Sequence, residues 1–471
     1  MTAVTRRRCL SALLPTLLLR SRAWSASAAK PNILFVMIDT LRADHVGCYG
    51  YEKPTTPNLD RLAREGVRFA DFHTAAPWTM PSVMTMFTSL HPTVHGATST
   101  QRRASLKVTT LAERLKRLGY RRTAAITSNP TVNSRYGFAQ GFDLYDDYTL
   151  FLAHELNLFG TEDVDQRRGI TEAVTSHSVT QTATRWLEKE GRESPWFLFL
   201  LYFDPHDRYV PPAPWDRRFD PHPNAASRRR RDTGPHLLHP KATPQEVEHA
   251  LALYDGEIGY TDHHIGALLK KLDALGHHDD TLVLLVSDHG EEFLDHGGVR
   301  HGRTLYDEQT RGVLMLRHPD TLPAGKVAPV PACHLDVTPT ILDAIGVRSA
   351  AACQGTSLLP LVRSQGAAAR PVFLEGATRP ELRAVVHGRH KLIRDTLTGR
   401  EELHDLDADA SERTDLASQK PALCHRLGSH LDLHITACAA AAGAYQVGGV
   451  TPRPKLTPRD LKTLRALGYL Q

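Results

Sequence analysis

Three short runs of almost uninterrupted apolar residues constrain this chain more than any other feature. Asn32 to Ile38 reads NILFVMI, Trp196 to Phe203 reads WFLFLLYF, and Leu282 to Val286 reads LVLLV. Runs of this length without polar alternation suit strands covered on both faces, the situation of a parallel sheet sandwiched between helices. Helix signals fall between them. Thr56-Pro57 is a cap followed by proline at the first helical position, Leu59, Leu62 and Ala63 form an inner face, and Gly66 is a stop. Leu111 to Leu118, closed by Gly119, repeats the pattern and leads into a strand at Thr123 to Thr127. Thr243-Pro244-Gln245-Glu246 is a capping box. It opens a long helix with Val247, Leu251, Tyr254, Ile258, Ile265, Leu268 and Leu272 on one stripe, ending by Gly276. The fold class predicted is α/β, with a mostly parallel central sheet and helices on both faces.

The 471 residues suffice for one large domain and a smaller one. The large domain is assigned to 30–370. Beyond Pro371 short apolar pieces at Phe373-Leu374, Ala384 to Val386 and Lys391 to Ile393 predict a small C-terminal α+β subdomain over 371–471. Residues 1–28 read as an export signal. Arg6-Arg7-Arg8, the apolar run Cys9 to Leu19 and Ala26-Ser27-Ala28 supply its three regions, and Thr5 to Leu10 resembles a twin-arginine signal. The expected location is periplasmic or extracellular, with no integral membrane segment after cleavage. A net charge of +5 is small for this length and gives no reason to invoke nucleic acid. Five cysteines lie beyond Cys9 without a CxxC pair. Cys424 with Cys438, Cys333 with Cys353, or free buried thiols are all open. Phe219 to Pro244, rich in Pro, His and Arg, reads as an exposed insertion, or as a basic lip for an anionic polymer.

The chemistry gathers where the three apolar runs end. Asp39 follows the first, Asp204-Pro205-His206 the second and Ser287-Asp288-His289-Gly290 the third. In an open α/β sheet, ligands sit at the carboxyl ends of the strands, so these segments converge there. A lone aspartate after a strand also serves as a helix cap. The Asp288-His289 pair, with one hard oxygen and one imidazole nitrogen, suits a divalent cation, and Asp39 joins it as a third donor. His296 and His301, each before a glycine, extend a histidine-rich loop. Thr79 stands near the start of a helix, because Pro81 is tolerated only in a first turn. It reads either as a plain N-cap or as a hydroxyl nucleophile at a positive helix end, its pKa lowered by metal ligation.

Several spaced segments, in order, resemble the sulfatase family within the alkaline-phosphatase-like superfamily. They are Pro31 to Asp39 with Asp44-His45-Val46-Gly47-Cys48-Tyr49-Gly50; Thr56 to Ala63; Ala76 to Val83; Asp204 to Asp207; Ser287 to Glu291; and Asp336 to Thr340. Lys391 to Ile393, Leu403 to Leu406 and Leu464 to Tyr469 complete the set. The resemblance implies an alkaline-phosphatase-like fold and one divalent metal ion (Ca, Mg, Mn or Zn) held by Asp39, Asp288 and His289. It makes Thr79, also a metal ligand, the nucleophile. His206 falls where the family contacts substrate oxygens, and His301 where it often has a lysine. Three departures matter. Family members oxidise a cysteine or serine at position 79 to formylglycine, which Thr79 cannot form. Val83 replaces an arginine, and Thr40 replaces a second aspartate. The expectation is a metal-dependent hydrolase that cleaves sulfate, phosphate or phosphonate esters through Thr79, without formylglycine. Its substrate is an anionic ester of a small molecule, glycan or lipid head group. Two other functions share these residues: a catalytically silent anion or glycan binder, and a transferase of phospho groups.

Overall fold

A computed structural model describes residues 30–147, 175–220, 238–347, 352–363, 370–447 and 457–458. The predicted export signal, residues 148–174 and 221–237, and the Leu464 to Tyr469 motif lie outside them. No helix of the described residues is long and apolar enough to cross a membrane.

The predicted α/β class is borne out. Ten strands are placed in the large domain: β1 (Asn32–Ile38), β2 (Val67–His73), β3 (Arg122–Thr127), β4 (Leu144–Asp146), β5 (Trp196–Tyr202), β6 (Thr281–Ser287), β7 (Glu292–Phe293), β8 (Val299–Arg300), β9 (Leu314–Arg317) and β10 (Lys326–Cys333). Eight of them form one sheet in the order β10-β2-β9-β6-β1-β5-β3-β4. Pairing is parallel except at β9, which runs antiparallel to β2 and β6. The three apolar runs are adjacent central strands. Residues Ile33 to Ile38 pair with Phe197 to Tyr202 on one side and Leu282 to Ser287 on the other.

The absence of polar alternation has a direct structural consequence. Ile33, Phe35 and Met37 of β1 enter one apolar cluster, while Leu34, Val36 and Ile38 enter a second on the opposite face. Strands β5 and β6 divide in the same way. Two helices cover the second face: α3 (Ser176–Lys189) and the long α4 (Pro244–Ala274), whose capping box forms as read, with α1 (Pro57–Glu65) beside them. The first face is covered by α2 (Thr79–Thr88), α5 (Val337–Ala344) and their neighbours.

The C-terminal part carries an antiparallel sheet of β11 (Val372–Glu375), β12 (Leu382–His387), β13 (His390–Asp395) and β14 (Glu401–Asp405), covered by the helix α6 (Pro421–Ala444). Strands β2, β9 and β10 carry no clear sequence signal. β10 contains Pro329 and Pro331, and it tolerates them because it is an edge strand with a register shift between Ala328 and Pro331.

Two readings left by the sequence become specific. All five cysteines in the described residues are free. Cys424 and Cys438 lie on the same helix, fourteen residues and therefore about 21 Å apart, beyond disulfide reach. Among the described residues of the proposed insertion loop, His239, Pro240, Lys241, Thr243 and Pro244 are exposed as read, while Phe219 and Leu238 are buried.

Candidate active site

Four neighbouring strands deliver side chains to one place. β6 ends in Asp288 and His289, β1 in Asp39, and β5 runs on to His206. The fourth, β3, runs on to Asn129, a residue that the sequence reading did not single out. Thr79 arrives separately as the first residue of α2, whose axis points its positive end at the group. The cap position belongs to Trp78, so Thr79 is not the N-cap that the plainer reading made it. Pro81, without an N–H, fits the first turn. Val83, one turn further, is buried in the apolar cluster with Met80, Met84 and Phe87.

Thr79, Asp39, Asp288 and His289 are fully buried. His289 Nδ1 lies 2.8 Å from its neighbour's carbonyl, Gly290 O, and therefore carries the proton. That leaves Nε2 with a lone pair, 3.2 Å from Thr79 Oγ1, 3.3 Å from Asp288 Oδ2 and 3.8 Å from Asp39 Oδ1. Asn129 Nδ2 donates to Asp39 Oδ2 at 2.5 Å and reaches Thr79 Oγ1 at 3.5 Å, fixing the Thr79 hydroxyl and the Asp39 carboxylate together.

The remaining carboxylate oxygens decide whether this cluster suits a metal. Asp39 Oδ1 and Asp288 Oδ2 are buried without a hydrogen-bond partner. One donor atom each from Asp39, Asp288 and His289 falls within 4.8 Å of the others. Three lone pairs converging in a dry pocket are costly unless a cation meets them. The donor set, two carboxylate oxygens and one imidazole nitrogen, fits one divalent ion. Burial, and for Asp39 the neighbouring Asp288, push both carboxyl groups above their usual range. Burial and His301 hold His289 below its own, so its ring is neutral.

Thr40, where a second aspartate was expected from the resemblance, plays a backbone part. Its φ is 52°, a left-handed conformation that strains a β-branched residue. The turn aims Thr40 N at Asp288 Oδ1, at 3.1 Å. Tyr254 of α4 holds it there: its hydroxyl donates to Thr40 O at 2.6 Å and accepts from Arg42 N at 2.9 Å.

His206 and His301 line one side of the cluster. Their ring centroids lie 5.0 Å apart, and His301 lies 4.3 Å from His289. An Arg300–Asp207 ion pair at 3.0 Å joins the two loops. His301 Nδ1 faces Glu291 Oε1 at 3.0 Å, and His206 Nδ1 the carbonyl of Asp207 at 2.7 Å. Burial, with His301 beside it, holds His206 well below the usual histidine range.

Two sequence candidates go elsewhere. Asp204 accepts from Thr175 N at 2.5 Å, Ser176 N at 2.7 Å and Thr175 Oγ1 at 2.9 Å, so it caps α3 rather than joining the cluster. His296 stacks on Tyr306 at 3.7 Å and pairs with Glu308 at 2.9 Å. Asn129 and Glu291 were missed. Asn129 had the same signal as the others, a polar residue just past a strand end. Glu291 had none, because its value lies in the contact with His301.

Comparison with known proteins agrees with this architecture. The sequence model of the family described as "Sulfatase" matches residues 31–347, and "N-sulphoglucosamine sulphohydrolase, C-terminal" matches residues 295–432. An arylsulfatase of Clostridium perfringens (strain 13 / Type A) is 25% identical over 83% of this chain and 91% of its own length. The multifunctional alkaline phosphatase superfamily protein PehA of Trinickia caryophylli is 27% identical over 71% of this chain and 77% of its own. Among solved structures, phosphonate monoester hydrolase of Agrobacterium radiobacter superposes with a TM-score of 0.71 at 20% identity, covering 88% of this chain and 96% of that one.

Proposed function

The chain belongs to the sulfatase family, and on that premise we propose that it is a metal-dependent hydrolase of anionic esters that uses Thr79 as its nucleophile. The observation that carries this reading is the position of Thr79 Oγ1. It sits at a helix N-terminus, 3.2 Å from His289 Nε2, beside two carboxylates with unmatched lone pairs.

Asp39, Asp288 and His289 would hold the ion, with Thr79 Oγ1 at its edge. When bound, the metal supplies positive charge that lowers the pKa of a nearby hydroxyl and offsets the charge on the ester's oxygens. Asn129 keeps Thr79 in register with Asp39. Thr79 Oγ1, its hydroxyl proton already lost to solvent, bonds as the alkoxide to the central atom in line as the bond to the leaving alcohol breaks, and it is regenerated as the alkoxide when it leaves. His301 Nε2 gives that alcohol its proton, because Glu291 already holds Nδ1, whereas His206 is kept neutral by burial and by His301 itself. Water then attacks the central atom, passes a proton back to His301, and Thr79 Oγ1 leaves.

A threonine ester cannot collapse by expelling the acid, as a formylglycine hemiacetal does, so the second step demands attack by water at the central atom. That requirement favours phosphorus over sulfur. The substrates proposed are phosphate diesters, monoesters or phosphonate monoesters, with sulfate esters turned over more slowly. The test is a panel of chromogenic phosphonate, phosphate and sulfate esters with added manganese or zinc. Thr79→Ala should lower turnover by at least ~10³-fold and Thr79→Ser should retain most of it. Undiminished turnover in Thr79→Ala overturns the reading. Metal binding without turnover of any ester would favour a silent binder.

A further inference from the structure

Away from the candidate active site, three elements distant in sequence bring together a second set of metal-ligating side chains. His91 lies just past the C-terminus of α2, at the start of the short helix Pro92–His95. His434 and Cys438 are four residues apart on α6, so both face the same way. One donor atom from each of the three falls within 4.8 Å of the others. Cys438 Sγ is 3.6 Å from His434 Nε2 and 3.8 Å from Nδ1. Glu375, at the end of β11, puts Oε1 3.7 Å from His91 Nδ1, while its Oε2 is taken by Thr93. Ligands at zinc bond lengths of about 2.0–2.3 Å on a tetrahedron stand roughly 3.3–3.6 Å apart. The observed spacings are those of such a set before contraction.

Packing alone explains part of this arrangement, since the His434 ring stacks on Phe373 with centroids 4.0 Å apart. The His91 ring also packs edge-on against His434, with centroids 4.3 Å apart, but packing does not account for its Nδ1, which is buried without a hydrogen-bond partner and faces Glu375 Oε1. We propose that His91, His434 and Cys438, with Glu375 as fourth donor, form a structural zinc site that fastens α6 to the segment leaving the nucleophile helix. The chemistry suits zinc: two imidazoles, one sulfur and one carboxylate oxygen. Burial keeps both histidines far below their usual range and therefore neutral, with Arg383 adding to this for His91 and His91 for His434. Burial also raises the Cys438 thiol to about 12, so zinc binding displaces the thiol proton to solvent. The site differs in kind from the cluster at Asp39, Asp288 and His289, which offers no sulfur.

Sulfur makes the test specific. The full-length metal-free chain is titrated with Co(II). The expected result is two equivalents bound, one of them giving the near-ultraviolet thiolate-to-cobalt band and the visible spectrum of a tetrahedral ion. Cys438→Ser should abolish that band and one equivalent of binding, and His434→Ala should weaken the same equivalent. Asp39→Asn should leave the band intact while removing the other equivalent, so failure of this proposal is distinguishable from failure of the proposed active site. X-ray absorption of the zinc-loaded wild-type chain should show one sulfur at ~2.3 Å among nitrogen and oxygen neighbours, and needs no variant to fold. No thiolate band in the wild type, a band that survives Cys438→Ser, or no sulfur neighbour of zinc each overturns the proposal.

Discussion

Removing a single hydroxyl, in Tyr254→Phe, tests how the candidate metal pocket is held. The Tyr254 side chain is fully buried and its ring packs against Tyr209 and Phe293, contacts that phenylalanine keeps. Only the hydroxyl is lost, and with it the bonds to Thr40 O and from Arg42 N. Each net hydrogen bond is worth about 1 kcal/mol, and leaving a buried backbone group unsatisfied raises that to about 1–3 kcal/mol. Two such groups give a loss of roughly 2–4 kcal/mol, allowing for partial relaxation. Thr40 is also released from its left-handed conformation, which by itself costs about 1–2 kcal/mol to maintain. Relaxation toward an ordinary backbone swings Thr40 N away from Asp288 Oδ1. The assay is paired: chemical denaturation of the metal-free chain, and manganese or zinc affinity of the folded one. Stability should fall by about 2–4 kcal/mol and affinity by roughly tenfold, equivalent to about 1.4 kcal/mol. If stability falls by less than about 0.5 kcal/mol and affinity is unchanged, Thr40 is held by the strand ends alone and the clamp argument is wrong.

Asp204→Asn separates a helix cap from a ligand: it should cost about 1 kcal/mol of stability and leave kcat within about twofold, and a large fall in metal affinity would return Asp204 to the site. His301→Gln should lower turnover by about 10²–10⁴-fold for esters with poor leaving groups and by much less for good ones. A loss independent of the leaving group would remove His301 as proton donor. Asp255, although burial acts to raise it, is held below its usual range by hydrogen bonds from His45, Tyr51 and Lys53 at 2.8, 2.7 and 2.9 Å. A depressed folded-state pKa gives stability that is present above the unfolded value of about 3.9 and is lost as pH falls through the folded one. The stability gap between wild type and Asp255→Asn should therefore be widest near neutral pH and close under strongly acid conditions, as read from denaturation midpoints across pH. Gly66→Ala should be poorly tolerated, because a Cβ there would stand 2.1 Å from the backbone oxygen of Leu316.

The central strands were legible because burial on both faces leaves a sequence signature, an unbroken apolar run, and the turn after each run exposes its polar residues. The same logic located Asp39, Asp288, His289 and His206. It could not sort Asp204 from Asp39. Both follow strands, and only the presence of Thr175 and Ser176 at a helix start makes the first a cap. Strand β10 was invisible because prolines, acceptable at an edge, imitate a loop. Glu291 and Tyr254 matter through partners 10 and 214 residues away, respectively. His91 and the pair on α6 lie more than three hundred residues apart, so no spacing rule joins them.

The alternation along β1, β5 and β6 has a consequence for how the candidate site can change. Thr79 stands on α2, whose Met80, Val83 and Met84 belong to one apolar layer, whereas the Tyr254 that steadies Thr40 stands on α4, in the other. The sheet keeps these layers apart, and Asp39, Asp288 and His289 hang from its rim between them. Repacking either layer therefore acts on the candidate site from its own side of the sheet, one through the helix that carries Thr79 and the other through the turn at Thr40. Asn129, which bonds both Asp39 and Thr79, is the point at which a shift from one side is passed to the other.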